Sequence, residues 1–314
     1  MDASDVSSRD GTSSVPRVGR WPALGEVFAR RQGSGASVTT VRYAVSLPPF
    51  TDPDRVLGWA RAAEAAGWDG FFLWDHVQWR PGAAPLDPWV MLGAIAALTE
   101  RVRLGTLVTP LSRRRPYAVA KALVTLDRLS GGRAALGVGL GEPPDRDFAD
   151  LGEEADPRVR AAMLDESLQV IDQLLRGPTD FAGDHYRVTA DLHPRPVQQP
   201  RPPIWVAGVT PHRRPLARAR RWDGVVPIGR GEHLSPQDLT DYLALDGGQA
   251  REGWDVVVHP APGIPVQEYV EAGATWLVRS VMPSSGEDWE AQADAVVRQP
   301  PGTALGGPGS SHAG

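Results

Sequence analysis

The sequence predicts an α/β fold, a closed (β/α)8 TIM barrel, and three observations support this prediction. Short apolar segments alternate with helical segments along most of the chain, as they do in repeated βαβ units. Eight such apolar segments fall within about 260 residues, which is close to the usual length of this barrel. The alternative, an open doubly wound sheet, needs a glycine-rich phosphate-binding turn after its first strand, and the sequence has none there.

Four strands and four helices are predicted in the first half of the barrel. Asp52 and Asp87 are expected to cap the first two helices, and Gly67 is expected to end the first one. The predicted strands are residues 41–46, 70–74, 102–108 and 134–139, and the predicted helices are residues 53–66, 87–99, 117–129 and 158–175.

An insertion interrupts the alternation after the fourth strand. Residues 177–202 contain the segment FAGDHYRV, which predicts an extra hairpin, and the segment PRPVQQPRPP, which predicts extended backbone. The alternation then resumes with a helix at residues 213–220 and four more strands. These strands are residues 203–207, 224–228, 255–259 and 274–281.

The composition divides the chain into a barrel and two tails. Residues 1–40 are rich in Ser, Gly and Arg with little apolar periodicity, and they are interpreted as a flexible N-terminal tail. Residues 299–314 contain Pro, Gly and Ser without a core pattern, and they are interpreted as a flexible C-terminal tail. The barrel is therefore expected to span residues 41–298.

The composition also excludes several classes of function. The net charge is −5, so no general positive field attracts nucleic acid or anionic lipid. No segment approaches the ~20 apolar residues of a membrane span, and the N-terminus lacks a secretory signal, so a soluble cytoplasmic protein is expected. The chain has no cysteine and its histidines lack metal-ligand spacing, so no thiol or metal is expected at the active site.

The active site of such a barrel is built by the loops at the carboxyl ends of the strands. The second strand ends at Trp74, Asp75 and His76. His76 is the best candidate for proton transfer, because an imidazole donates or accepts a proton near neutral pH. A structural explanation, in which Asp75 and His76 only bond loop backbone, stays open. Trp74 and Arg113, which follows the third strand, are assigned to the substrate pocket.

The fourth strand ends in a Gly-x-Gly-x-Gly run that is followed by Glu142. Glycines such as Gly139 and Gly141 allow a flat ligand to approach the backbone closely. A carboxylate at that point can serve as a general acid or base. The alternative is that Glu142 is a surface residue in a loop.

The turn after the fifth strand is a candidate anion site. Gly208, Val209 and Thr210 precede a helix, so free N–H groups and the helix dipole are expected to favour a phosphate there. Arg213 and Arg214 would add positive charge, although an exposed basic helix start is an equally simple explanation for them.

Three segments together resemble the bacterial luciferase-like oxidoreductase superfamily. They are GFFLWDHVQW, RVRLGTLVTPLSRRRPYAVAKALVTLDRLSGGRAALGVGLGE and PPIWVAGVTPHRRPLARARRWDGVVPIG, and the resemblance extends over residues 41–282. It implies a barrel that binds reduced FMN or the deazaflavin coenzyme F-420 over its mouth. Members of the superfamily are monooxygenases, reductases or dehydrogenases and are usually dimeric.

The resemblance also implies positions for the cofactor and for catalysis. The cofactor ring is expected to pack on a bulge with a non-proline cis peptide at the end of the third strand, within residues 106–109. The pair Asp75–His76 matches the acid–histidine pair of the superfamily. The deazaflavin-dependent sugar-phosphate dehydrogenases of the superfamily have a tryptophan shortly after this histidine and a glutamate after the glycine-rich strand. Glu142 is at the position of that glutamate, and Trp79 is one residue closer to the histidine than that tryptophan. The expected cofactor contacts are Asp75, Trp79, Thr106, Leu107, Val108, Gly139, Gly141, Gly208, Val209 and Thr210.

The resulting hypothesis is a luciferase-like oxidoreductase or monooxygenase that uses reduced FMN or the deazaflavin on a small organic substrate. His76 and Glu142 are the expected catalytic residues. A homodimer and a separate flavin or deazaflavin reductase as partner are expected, without nucleic acid, membrane or metal. Two alternatives stay open: a deazaflavin-dependent dehydrogenase or reductase that transfers hydride without oxygen, and a non-catalytic barrel that binds a partner.

Overall fold

The structure, a computed structural model, describes residues 41–229, 233–247, 251–283 and 288–306. The predicted N-terminal tail, residues 1–40, lies outside these ranges. Within them the chain forms ten β-strands, which are β1 (Arg42–Leu47), β2 (Gly70–Leu73), β3 (Arg103–Pro110), β4 (Ala134–Gly139), β5 (Pro178–Ala182), β6 (Arg187–Asp191), β7 (Ile204–Val209), β8 (Gly224–Ile228), β9 (Asp255–Val258) and β10 (Trp276–Ser280).

Eight of these strands form a closed parallel barrel in the order β1-β10-β9-β8-β7-β4-β3-β2. The barrel closes at β1, which pairs in parallel with both β2 and β10. The (β/α)8 barrel that the alternation predicts is therefore confirmed. Closure brings the carboxyl ends of all eight strands to one mouth, where loops from distant parts of the sequence meet.

Helices cover the outside of the barrel. Within the described ranges they are α1 (Pro53–Ala66), α2 (Pro88–Leu98), α3 (Pro116–Leu129), α4 (Pro157–Arg176), α5 (Arg213–Ala219), α6 (Pro236–Ala244), α7 (Val266–Glu271), α8 (Trp289–Arg298) and α9 (Pro301–Gly306). Asp52 caps α1 by accepting the amide of Asp54 at 2.9 Å, and Gly67 ends α1 with a left-handed φ of 91°, both as predicted. None of the described helices is long and apolar enough to cross a membrane.

An aromatic cluster closes the interior of the barrel at its amino-terminal end. The rings of Phe72, Trp205 and Trp276 lie 5.4–6.2 Å apart between centroids. Both indole N–H groups donate to Asp255, at 3.0 Å and 3.2 Å. Burial raises the pKa of Asp255, and these donors offset only part of that effect. Space for a ligand therefore lies above this cluster, at the carboxyl ends of the strands.

The predicted insertion after the fourth barrel strand contains the expected hairpin. Strands β5 and β6 pair antiparallel outside the barrel. Glu166 of α4 fixes their turn, because its carboxylate accepts the amides of Asp184, His185 and Tyr186 at 2.9–3.0 Å.

The predicted C-terminal tail, residues 299–314, differs from the expectation in its first part. Residues Pro301–Gly306 form α9, and Leu305 is 6% exposed and belongs to the core. Two adjacent apolar residues, Ala304 and Leu305, among Pro, Gly and Thr give no periodicity, so the sequence carries no sign of this contact. Residues 307–314 lie outside the described ranges.

Candidate active site at the barrel mouth

The mouth of the barrel is lined by side chains one layer above the interior core. That core includes Ala44, Phe72, Val226, Val257 and Val278. Side chains alternate along a strand, so residues two positions further along also face the interior, at the level of the mouth. These residues are Ser46, Trp74, Ile228, His259 and Ser280.

His76 lies at this mouth within a group of aromatic rings. Its ring centroid is 6.0 Å from Phe50, 6.3 Å from Trp74 and 6.2 Å from Trp79. Trp74 Nε1 donates to Ser46 Oγ at 3.1 Å, which fixes that indole across the mouth. The structure therefore brings together His76, Trp74 and Trp79, and adds Phe50 from the loop after β1.

Asp147, in the loop between β4 and α4, holds His76 in place. Its Oδ2 lies 2.8 Å from His76 Nδ1, and its Oδ1 accepts the amides of Val77 and Gln78 at 2.9 Å and 2.7 Å. Burial raises the pKa of Asp147, but these hydrogen bonds and the charge of Arg113 outweigh burial, so the pKa is lowered. An ionised Asp147 places the histidine proton on Nδ1 and leaves Nε2 as a proton acceptor.

The sequence reasoning missed Asp147. It lies 71 residues from His76, in a loop without a recognisable motif. Its position five residues after Glu142, in the loop that follows β4, is the only sign of it in the sequence.

Asp75 sits in a buried network behind the mouth. Arg114 donates to its carboxylate from Nε and Nη2 at 2.9 Å and 2.8 Å, Arg113 donates at 2.9 Å, and Thr109 donates at 2.8 Å. Burial lowers the pKa of Arg114, but the charge of Asp75 more than offsets this and the pKa is raised. The side chains of Asp75 and Arg113 are 0% and 4% exposed. Both side chains therefore form part of the wall of the mouth.

The predicted bulge at the end of β3 is confirmed. The peptide bond Leu107–Val108 is a non-proline cis bond, and the pairing of β3 with β4 shifts register between Thr106 and Thr109. Thr106 Oγ1 lies 3.2 Å from the carbonyl of Gly137, and Thr109 Oγ1 bonds Asp75. The bulge is thus connected through Asp75 to the wall that carries His76.

The glycines of the Gly-x-Gly-x-Gly run serve the packing of the protein itself. A Cβ on Gly137 would lie 2.4 Å from the carbonyl oxygen of Thr106, and one on Gly139 would lie 2.9 Å from Val108 Cγ2. Gly141 has a φ of +83°, and a Cβ there would lie 2.7 Å from both Pro110 and Phe148. These contacts with β3 and its loop explain the three glycines without a ligand.

The loop that carries Glu142 and Asp147 is fixed by an arginine of α4. Arg160 of α4 donates to the carbonyls of Leu140 and Gly141, each at 3.0 Å. Its guanidinium also lies 4.3 Å from the ring centroid of Phe148, which is fully buried. Glu142 itself is exposed at the edge of the mouth and precedes a cis bond to Pro143.

The turn at Thr210 does not offer the free amide that the sequence suggested. The amide of Thr210 donates to the carbonyl of Ile228 at 2.8 Å, because the pairing of β7 with β8 continues to this point. Gly208 is needed for packing, since a Cβ there would lie 2.5 Å from the hydroxyl of Tyr242. The side chain of Thr210 remains beside a cavity of about 350 Å³, which Tyr242 and Asp241 also line.

Residues 26–244, more than half of the chain, match a family described as luciferase-like monooxygenase. An F420-dependent glucose-6-phosphate dehydrogenase from Beutenbergia cavernae is 39% identical over 211 residues, which cover 64% of this chain and 60% of that protein. One of the same name from Nakamurella multipartita is 38% identical over 220 residues, which cover 67% of this chain and 62% of that protein. The matching part of the chain thus spans less than two thirds of the length of these curated relatives.

Solved structures share the fold at low sequence identity. The coenzyme F420-dependent tetrahydromethanopterin reductase from Methanopyrus kandleri has a TM-score of 0.65 at 19% identity, covering 83% of this chain and 98% of that chain. A monooxygenase from Streptomyces bottropensis has a TM-score of 0.60 at 21% identity, covering 82% of this chain and 79% of that chain. These structures share the barrel fold with this chain.

Proposed function

The chain belongs to the luciferase-like monooxygenase family, and on this basis we propose that it is an oxidoreductase that binds a deazaflavin or flavin over the barrel mouth. The observation that carries the proposal is the pairing of His76 with buried Asp147 inside a group of aromatic rings at the strand ends. The deazaflavin is the first choice, because the curated relatives are F420-dependent enzymes by name.

The mouth fits a flat and largely apolar ring system. Val209 and Ile228 are cross-strand partners at the ends of β7 and β8, and they are 41% and 42% exposed. The bulge of β3 presents the half-buried Val108 two strands away, next to Leu107, which is buried at 8% exposed. Exposed apolar side chains that converge on one concave site are typical of a site for an aromatic ligand. When bound, the cofactor would exchange a hydride with the substrate or, as a reduced flavin, activate oxygen.

Some of the cofactor contacts expected from the sequence remain available at the mouth. Of these, the side chains of Leu107, Val108 and Val209 are proposed to support the ring, and Trp79 to wall the pocket. The hydroxyl of Thr210 is proposed to bind the polar part of the cofactor, in place of its amide.

His76 is proposed to accept the proton in this reaction. If an alcohol were oxidised at this site, with the bound cofactor as hydride acceptor, His76 Nε2 would take the hydroxyl proton as the carbonyl product forms. Asp147 is buried and held ionised, so it stabilises the positive charge that His76 then carries. Glu142, exposed at the edge of the mouth, is proposed to pass that proton to solvent.

A homodimer is proposed from the outer face of α2. Val90 is 73% exposed and Leu98 is 36% exposed, with the exposed Ala94 and Ala97 on the same helical face. Such an apolar face at the surface is typical of a protein interface. A separate cofactor reductase and a cytoplasmic location stay predictions.

The test is a titration of the full chain with F420 and with FMN, each in its oxidised and its reduced form. Binding is measured by the quenching of tryptophan fluorescence. Turnover is then assayed with a panel of alcohols that includes glucose 6-phosphate, and oxygen uptake is recorded with each reduced cofactor. Hydride transfer without oxygen uptake supports a dehydrogenase, and oxygen uptake supports a monooxygenase. Absence of binding for both cofactors would overturn the proposal.

The role of His76 is tested by His76→Ala. Loss of a general base lowers turnover by about 10²–10⁴-fold, while the dissociation constant of the cofactor is expected to change little. His193→Ala, which changes an exposed histidine beyond the hairpin, is the matched control and is expected to keep full turnover. Unchanged turnover of His76→Ala would remove the assigned role.

A further inference from the structure

A second polar group lines the mouth on three adjacent strands. Ser46 of β1 and Ser280 of β10 are register partners, and His259 follows β9, which pairs with β10. All three lie two positions beyond residues of the interior core, namely Ala44, Val278 and Val257. Strand alternation therefore places these side chains in one layer that faces the mouth.

His259 is held by a hydroxyl. Its Nδ1 lies 3.1 Å from Ser280 Oγ. Burial lowers the pKa of His259 to about 4, with a smaller effect from the charge of His233. The imidazole is therefore neutral at pH 7. With Nδ1 occupied by Ser280, the ring has one further polar atom, Nε2, for a ligand.

Ser46 is also placed to bind a ligand. Its Oγ accepts the indole N–H of Trp74 at 3.1 Å, which leaves its own proton to donate. The layer contains no charged side chain among the residues that face the mouth on these three strands. Arg279, next to Ser280 on β10, alternates to the outer face of the barrel.

We propose that His259, Ser280 and Ser46 form a subsite for an uncharged oxygen function, a hydroxyl or a carbonyl, of the substrate. The inference rests on the proposed function and names the substrate class for it. An uncharged set of donors and acceptors can satisfy such an oxygen, whereas a buried anion would find no counter-charge among the residues of these three strands that face the mouth. The apolar side chain of Ile228, at the end of β8 next to β9, would contact the carbon part of the same molecule.

The subsite is tested on the full chain without cofactor, labelled with ¹⁵N-histidine. The probes are cyclohexanol and cyclohexanone, with methylcyclohexane as a hydrocarbon of similar shape. The ¹⁵N resonance of His259 Nε2 is expected to shift with the two oxygen probes and not with methylcyclohexane. The proposal would be overturned if neither oxygen probe shifted the resonance, or if methylcyclohexane shifted it equally. The hydrogen bond between His259 and Ser280 would then only join two strands.

Variants separate binding from a structural role. Ser280→Ala is expected to weaken binding of cyclohexanol roughly 3- to 10-fold through loss of one hydrogen-bond partner. His259→Gln keeps a donor and is expected to bind within about 3-fold of the wild type, whereas His259→Leu is expected to lose at least about 10-fold. Thr189→Ala on the hairpin is the control. Equal affinities of His259→Gln and His259→Leu would contradict the subsite.

The experiment stands apart from the test of the proposed function. Failure to bind F420 or FMN would leave the resonance of His259 and its response to the probes unaffected. Conversely, if the cofactor binds but no oxygen probe shifts the resonance of His259, the proposed oxidoreductase function stands and only the subsite is overturned.

Discussion

The mouth of the barrel carries two histidines in contrasting surroundings. On the His76 side, formed by the carboxyl ends of β2, β3 and β4, Nδ1 of His76 lies 2.8 Å from a buried carboxylate, Asp147. On the His259 side, formed by the carboxyl ends of β9, β10 and β1, Nδ1 of His259 lies 3.1 Å from a hydroxyl, Ser280. Both rings are fixed through the same nitrogen, but only one of them has a negative partner.

The hydrogen-bond partner of Nδ1 therefore decides what a histidine at this mouth can do. An ionised partner stabilises the doubly protonated ring, so His76 is suited to hold a proton during a reaction. A neutral partner in a buried setting gives no such stabilisation, so His259 is suited to donate or accept a hydrogen bond. In the proposed reaction His76 would therefore transfer the proton, and His259 would bind the substrate.

The largest expected effect tests the charged wall of the His76 side. Asp75→Asn removes the carboxylate that Arg113 and Arg114 share, and buried guanidinium groups then lose a counter-charge. The free energy of unfolding is expected to fall by about 3 kcal/mol, as measured by urea unfolding. Glu290→Gln, which breaks the exposed pair with Arg55, is the control and is expected to cost less than about 1 kcal/mol. If both variants lost the same free energy of unfolding, the ion pairs of Asp75 would not be what stabilises this wall of the mouth.

The next effect tests the neutrality of the His259 side. In the unfolded chain a histidine titrates near 6.5, while in the folded protein the pKa of His259 is about 4. Between these values the unfolded state binds the extra proton, so this group lowers stability as pH falls from 6.5 towards 4. The wild type is expected to lose about 2 kcal/mol more than His259→Gln between pH 7.5 and pH 5, in urea unfolding at both pH values. Parallel losses in the two proteins would show that the pKa of His259 is not lowered by folding.

A smaller effect tests the carboxylate of the His76 side. The pKa of folded Asp147 lies below its ordinary value of 3.8, so its contribution to stability is present above that value and is lost as pH falls through the folded pKa. Asp147→Asn is expected to be about 1–2 kcal/mol less stable at pH 7, and the difference is expected to shrink at pH 3.

The same variant tests how Asp147 positions His76. Turnover is expected to fall about 10–100-fold, and ¹⁵N spectra are expected to show loss of the fixed Nδ1–H form of His76. A variant that keeps this tautomer and full turnover would separate Asp147 from the function of His76.

The smallest effect concerns a hydroxyl beside the cavity at β7 and β8. Tyr242 is 1% exposed, its hydroxyl has no hydrogen-bond partner among the described residues, and burial raises its pKa to about 12. Tyr242→Phe is expected to change stability by less than about 1 kcal/mol. The matched control is Tyr269→Phe, whose hydroxyl donates to Leu234 and accepts from Ala261 and whose loss should cost about 1–2 kcal/mol. The unfolding midpoints of the two variants decide the comparison.

Much of the fold could be predicted from local patterns. The caps at Asp52 and Asp87 and the stop at Gly67 lie where the sequence placed them, because a cap is read within four residues of one helix end. Helices α6, α7 and α8 were not assigned from the sequence. Two of them are short, at 9 and 6 residues, so few residues carry the helical period.

Parts of the candidate site were found and parts were not. His76 and its tryptophans were found from the rule that strand ends form the mouth, and the cis bulge followed from the family resemblance. Asp147 was missed because its partner lies 71 residues away. The amide of Thr210 was misjudged because its use by Ile228 depends on how far β7 and β8 stay paired.

Local strand and helix periods are enough to predict the barrel and to say which residues stand at its strand ends, since such periods are properties of short segments. That a carboxylate meets His76 and a hydroxyl meets His259 follows from the closed barrel alone. The physical reason is that barrel closure brings together loops distant in sequence, and the charge, burial and hydrogen bonds of a side chain are set by what it meets there.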